Sequence, residues 1–256
     1  GATPRAPLST RFLLGETYPK REIADKYIVD SPKEQRKTDV LIAGGGIAGS
    51  SLFRYFAEAG RKTVLVNADR GSSWRNIGGG RPAFSIPELA EISRGNQEIF
   101  KEIQKEYDIH YRETRYITFA HDDASYKDLE NSCSWSNAHM IDKKDFQKEV
   151  SPYFNTKQTT YFAAQISEHC WQATPGRVID FIRNKAKEQE GEVLEDTRLV
   201  EVHKENGCYR VLLYTHDKKY IEYECEHFVN ALGYGAEKFA RMLGLYTGLY
   251  PVKHQA

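Results

Sequence analysis

The chain has 256 residues, with 36 Lys and Arg against 36 Asp and Glu for a formal net charge of zero, and 40% of its residues are hydrophobic and 12% aromatic. This composition supports one or two packed domains and excludes disorder of the whole chain, and the charge balance removes the broad attraction that nucleic acid or an anionic membrane exerts on a basic protein. No run of about 18 apolar residues occurs, so no helical membrane span is expected. Residues 1 to 37 read as an extension, with Pro at 4, 7, 19 and 32 and the charged stretch Lys33 to Lys37. Its start lacks the apolar core of a secretory signal. Arg5 and Arg11 with no acid before Glu16 leave an organellar leader as the alternative to a cytoplasmic chain.

From Thr38 the pattern becomes a short apolar strand, Val40 to Ala43, followed by Gly44-Gly45-Gly46-Ile47-Ala48-Gly49. Leu52, Tyr55, Phe56 and Ala59 then share one helical face that ends at Gly60, and Thr63 to Val66 form a second strand, completing a βαβ unit. Leu89, Ile92, Ile99 and Ile103 after Pro87 predict a long helix to about Tyr107. Residues 116 to 165 mix short strands with short polar helices. Thr174 is a suitable cap for a helix whose Val178, Phe181, Ile182 and Ala186 share a face and which stops at Gly191. Residues 199 to 226 predict three short strands joined at Asn206-Gly207 and Asp217-Lys218, an antiparallel meander. A separate strand, Phe228 to Ala231, a Gly233-Tyr234-Gly235 turn and a helix through Leu243 follow.

Gly44-x-Gly46-x-x-Gly49 stands where a dinucleotide fingerprint acts, after a strand and at the opening of a helix. Gly44 allows the tight turn, Gly46 lets backbone approach a pyrophosphate, and Gly49 lets the helix pack against the strand. The position expected to carry a ribose-binding Asp or Glu, at the end of the second strand, is Asn67. An amide accepts a ribose hydroxyl without charge assistance, and with Arg70 nearby an NADP-binding module is an alternative.

The segment Ser73-Trp74-Arg75-Asn76-Ile77-Gly78-Gly79 resembles the Ser-x-Arg-Asn-x-Gly-Gly segment of the D-amino-acid oxidase superfamily of FAD-dependent oxidoreductases, which includes glycine oxidase and sarcosine oxidase. Later landmarks agree in order: Thr174 to Asp180, Val229-Asn230-Ala231-Leu232-Gly233, and Tyr250 to Gln255. The resemblance implies an α/β fold: a Rossmann-like FAD domain with a parallel sheet and an antiparallel meander, interrupted by an α+β substrate domain. The expected divisions are an extension to 37, FAD-binding parts at 38–110 and 171–248, a substrate-domain segment at 111–170, and the start of the next substrate-domain strand at 249–256. It implies FAD as cofactor and oxidation of the C–N bond of a small amine or amino acid. Gly44, Gly46, Ile47, Ala48 and Gly49 would meet the pyrophosphate, Asn67 and Ala68 the ribose, and the Val200 backbone the adenine. Ser73, Arg75, Asn76, Gly78 and Gly79 would lie beside the flavin and diphosphate, with Ala231 and Gly233 on the cofactor's other side.

Family members continue past the point where this sequence stops, so a missing C-terminal half or a partner chain is expected to complete the site. A non-catalytic FAD-fold scaffold subunit is the rival reading. Arg81, just after Gly78-Gly79-Gly80, is the one weak catalytic candidate. Cys133, Cys170, Cys208 and Cys225 form no C-x-x-C pair and read as reduced thiols, although Cys208 and Cys225 fall on neighbouring predicted strands. His121-Asp122-Asp123 reads as a solvated loop, and no metal site is expected.

Overall fold

Residues 33–158 and 160–249 are described by the structure, a computed structural model. The extension up to residue 32 and the motif at Tyr250 to Gln255 lie outside the described residues. In chain order, β1 (Lys33–Ala43), α1 (Ile47–Glu58), β2 (Thr63–Val66) and the single turn α2 (Ser72–Arg75) come first. Next are β3 (Gly79–Gly80), α3 (Pro87–Glu106), β4 (Arg112–Ala120), α4 (Asp123–Ser136), β5 (Ala138–Asp142), α5 (Phe146–Glu149) and β6 (Ala163–Gln172). Helix α6 (Pro175–Lys187) leads to β7 (Glu192–Leu194), β8 (Arg198–Glu205), β9 (Cys208–Tyr214), β10 (Tyr220–Asn230) and α7 (Ala236–Met242). Among the described residues two compact units result, one from residues 33–75 joined with 179–249, the other Asn76–Val178. Helix α3 belongs to the second unit, so these units divide the chain at other points than residues 110 and 170.

The first unit is built on one sheet of order β7-β2-β1-β10-β9-β8, parallel through β10 and antiparallel beyond it. Alternation along β1 sends its side chains to two cores. Val40 and Ile42 pack with Phe53 and Ala57 of α1, Leu65 of β2 and Ala186 of α6. Leu41 and Ala43, with Val64 and Val66, pack against Val202, Val211, Leu213 and Tyr223 of the meander and Phe239 of α7. Helices α1 and α6 therefore cover one face of the sheet and α7 lies on the other, giving three layers.

Two expectations are corrected here. The third meander strand and the separate strand at 228–231 are one strand, β10, because its first half pairs with β9 while its whole length pairs with β1. And β1 begins at Lys33, not Thr38: Lys33 to Lys37 pair with Tyr220 to Glu224. That stretch carries no apolar period because cross-strand charges stabilise it. Lys37 Nζ meets Glu224 Oε1 at 2.7 Å, and Arg36 Nη1 donates to Tyr223 Oη and Glu192 Oε1, each at 3.2 Å.

In the second unit β6 pairs with β4 along one edge and with β5 and β3 along the other. Phe146, Tyr161, Ala164 and Ile166 form its core with Phe119 and Phe154, and the Phe119 and Tyr161 ring centroids lie 4.6 Å apart. Helix α3 forms where the periodicity places it, but Ala90, Ser93, Gln97 and Ile103 are its buried residues, while Leu89, Ile92 and Ile99 are exposed. His121 and Asp122 form an exposed loop, as the sequence pattern predicts, and Asp123 opens helix α4. Asp122 caps the 14-residue α4, accepting Ser125 N–H at 2.7 Å while Ser125 Oγ accepts Asp122 N–H at 3.1 Å. Those bonds from Ser125 hold the Asp122 carboxyl below its usual range. Among the described residues no cluster of His, Cys, Asp and Glu is arranged to hold a metal ion, and no helix is long and apolar enough to cross a membrane.

All four cysteines are free. Cys208 pairs with Glu205 and Cys225 with Tyr209. Burial pushes the Cys225 thiol up to about 12 and raises that of Cys170. Iodoacetamide at pH 8 is therefore expected to label Cys133 and Cys208, both partly exposed, and to reach Cys170 and Cys225 only after unfolding, as mapped by peptide mass. Labelling of native Cys225 as fast as Cys208 would contradict the packing of β10. Folded Cys225 holds its proton to higher pH than the unfolded thiol does, so its contribution to stability is complete below about 8.5 and declines as pH rises toward 12.

Candidate functional site

The glycine turn lies where β1 delivers the chain to α1. Ala43 O accepts Ala231 N–H and Val66 O accepts Gly44 N–H, both at 2.8 Å, so the turn is held between the ends of β2 and β10. Gly44 takes φ +108°, and a Cβ there would overlap the Ala231 carbonyl. A Cβ on Gly49 would overlap the Gly44 carbonyl and stand 3.2 Å from Ala231 Cβ. Ser73 Oγ accepts the Ile47 N–H at 3.1 Å, and a Cβ on Gly46 would lie 2.9 Å from that hydroxyl. The first turn of α1 has no acidic residue and Gly46 supplies no capping side chain, which leaves the positive end of the helix available to an anion.

Asn67 lies just beyond β2 and is only 7% exposed. Its Nδ2 donates to Glu195 Oε2 at 2.6 Å, its backbone N–H to Leu194 O at 2.9 Å, and its carbonyl accepts Thr197 N–H at 3.1 Å. The Val66 and Leu194 pairing sets residues 67 and 195 level with each other past the ends of two parallel strands. Glu195 Oε1 accepts from Arg183 Nη1 at 2.6 Å. Arg183 is buried on α6, donating also through Nε to Ser50 Oγ at 3.1 Å and through Nη2 to the Gly45 carbonyl. Burial draws its pKa down, and the charge of Glu195 opposes the fall.

Sequence reasoning missed Arg183 and Glu195. The signal for Arg183 was its phase, four residues after Ile179 and three before Ala186, both fully buried. Glu195 had no local signal, because its place beside Asn67 depends on the strand register.

Two cations approach Trp74, Arg183 at 5.6 Å and Arg70 at 5.2 Å from its ring centroid. Its Nε1 is buried with no hydrogen-bond partner among the described residues. Arg75 ends the first part of this unit and is exposed, as is Ala68. Val200 occupies the shift in register between Leu199 and Glu201 on β8, a bulge that takes its backbone out of the ladder. Gly233 opens the turn into α7. Asn76, Gly78 and Gly79 belong to the second unit: Asn76 Oδ1 accepts Gly78 N–H at 2.6 Å, and Gly79 pairs with Gln172. Arg81 is in that unit too, with its guanidinium 4.2 Å from the Tyr116 ring centroid, lining a cavity of about 310 Å³ with Phe119, His121, Asp128 and Gln165.

A glycine turn open to an anion, a polar cluster at adjoining strand ends and an indole N–H awaiting an acceptor fit a dinucleotide, and the layered sheet is of the dinucleotide-binding class. The sequence matches the DAO family, FAD dependent oxidoreductase, over residues 39–256. The chain belongs to that family, whose cofactor is FAD. No curated protein sequence matches it. Solved structures of similar fold include L-proline dehydrogenase from P. horikoshii, at 22% identity and TM-score 0.70, covering 84% of this chain and 57% of that one. Glycine oxidase from Geobacillus kaustophilus is similar at 16% identity and TM-score 0.70, covering 84% and 60%. L-alpha-glycerophosphate oxidase from Mycoplasma pneumoniae with FAD bound is similar at 18% identity and TM-score 0.68, covering 82% and 57%. The chain thus spans 57 to 60% of the length of these structures.

Proposed function

We propose that this chain is the FAD-holding part of an oxidoreductase acting on the C–N bond of a small amine or amino acid. The observation that carries the reading is the family match across 39–256, which includes the glycine turn and its polar neighbours. FAD held here would supply a two-electron acceptor for the hydride lost when an amine C–N bond becomes C=N, the nitrogen's proton going to water. Around it the residues bind and orient. The Ala48 amide and the turn of Gly44, Gly46 and Gly49 hold the pyrophosphate, Ile47 lies beside it with its N–H on Ser73 Oγ, and Ser73 and Arg75 flank it. Asn67 and Ala68 lie at the ribose, the Val200 backbone at the adenine, and Ala231 and Gly233 on the remaining side. Asn76, Gly78 and Gly79 serve the flavin, and Arg81 is the cation available to a substrate carboxylate. The similarity to L-proline dehydrogenase and glycine oxidase supports an amino-acid substrate, and the glycerophosphate oxidase makes a hydroxyl compound the competing class.

A non-catalytic FAD-holding scaffold is the second reading, favoured by Asn67 standing where a ribose-binding carboxylate is expected. Protein purified in the dark is expected to show the visible bands of bound flavin, and anaerobic addition of amines and amino acids to bleach them. Protein that neither carries nor takes up FAD would sink both readings. Bleaching by glycerol phosphate alone would move the substrate to the hydroxyl class, and flavin bound but bleached by nothing would leave the scaffold.

A further inference from the structure

We infer that the ribose of FAD is gripped by Glu195, a carboxylate carried one strand over from the position where Asn67 stands, with Asn67 and Arg183 as positioning residues; this rests on the FAD reading above. Dinucleotide domains place the ribose carboxylate at the end of the second strand, and ligands of open α/β sheets lie beyond the carboxyl ends of the strands. Glu195 meets the second condition at the level of Asn67, because Val66 pairs with Leu194 in the last register position of β2 and β7.

Exposure separates the two side chains. Asn67 is 7% exposed, its amide N–H is directed to Glu195, and its Oδ1 abuts Gly45, where an added Cβ would come within 2.6 Å of it. The Glu195 side chain is 52% exposed. Each carboxylate oxygen already accepts one protein donor, Oε2 from Asn67 and Oε1 from Arg183. A carboxylate oxygen accepts about two hydrogen bonds, so each retains capacity for one ribose hydroxyl. The two donors hold the carboxylate plane in place before ligand arrives, and hydrogen bonds to a charged oxygen are stronger than those to an amide carbonyl. A carboxylate here also repels a ribose 2′-phosphate, which removes the advantage that Asn67 and Arg70 lend to NADP.

The test is a fluorescence titration of flavin-stripped protein with FAD and with an FAD whose adenosine ribose lacks both hydroxyls. Native protein is expected to prefer FAD by roughly 10-fold. Glu195→Gln is expected to lose that 10-fold for FAD and nothing for the dideoxy ligand. Native protein that binds both ligands equally overturns the inference without any variant. So does a Glu195→Gln protein that keeps full FAD affinity, or one that weakens both ligands alike, the result of a purely structural pairing with Arg183. Native protein that binds neither ligand removes the FAD reading itself, and this inference falls with it.

Discussion

Gly49→Ala is expected to abolish FAD retention through purification and to lower the melting temperature. The added Cβ overlaps the Gly44 carbonyl, and Gly44 is the residue held at φ +108° against Ala231. Neither neighbour is a flexible side chain, so α1 must move away from β1 or the turn must open. Overpacking of this kind costs about 1–3 kcal/mol of stability. The effect on the cofactor is larger, because the Ala48 amide and the helix end move together. Losing even two charge-assisted hydrogen bonds of about 1.5 kcal/mol each weakens binding by roughly 100-fold. Thermal melts and an FAD titration measure the two effects separately. A Gly49→Ala protein that binds FAD as tightly as native would show that the pyrophosphate is not held at this helix.

Phe53→Ala should produce the largest loss of stability, about 3–5 kcal/mol. Phe53 is fully buried on α1 among Val40, Ile42, Ala57, Leu65 and Ala186, and its ring also comes against Gly191, where an added Cβ would lie 2.6 Å from Phe53 Cζ. The surrounding groups belong to strands and helices already anchored elsewhere, so the space left by the ring cannot collapse. The urea midpoint should fall with an unchanged slope. A loss below about 1 kcal/mol would mean that the helical layer does not pack on the sheet as described.

The βαβ opening, the glycine turn and helices α3, α6 and α7 were legible because each is encoded by neighbours a few residues apart. The strand from Lys33 to Lys37 was not, since its partners are Tyr220 to Glu224 and its side chains signal solvent. The division of β10 into two strands failed for a related reason. Its first half alternates buried Ile221, Tyr223 and Cys225 with half-buried Glu222 and Glu224, the alternation stops at the exposed pair Glu226 and His227, and such a change of pattern looks like a break. The capped helix α4 was hidden because most of its length is polar, although Asp122 and Ser125 carry a capping box that could have been read.

By itself the sequence determined the dinucleotide turn, the FAD-oxidoreductase family and the order of most elements, because glycines in a strand-turn-helix setting answer to local sterics that no distant contact can replace. It could place Asn67 at the end of β2 but not show that the side chain is buried there. Only the tertiary structure decided that a glutamate 128 residues further along stands level with it and that a buried arginine on α6 ties that glutamate to the glycine turn. Strand register and burial are set by the packing of three layers at once, and no local window of sequence carries that information.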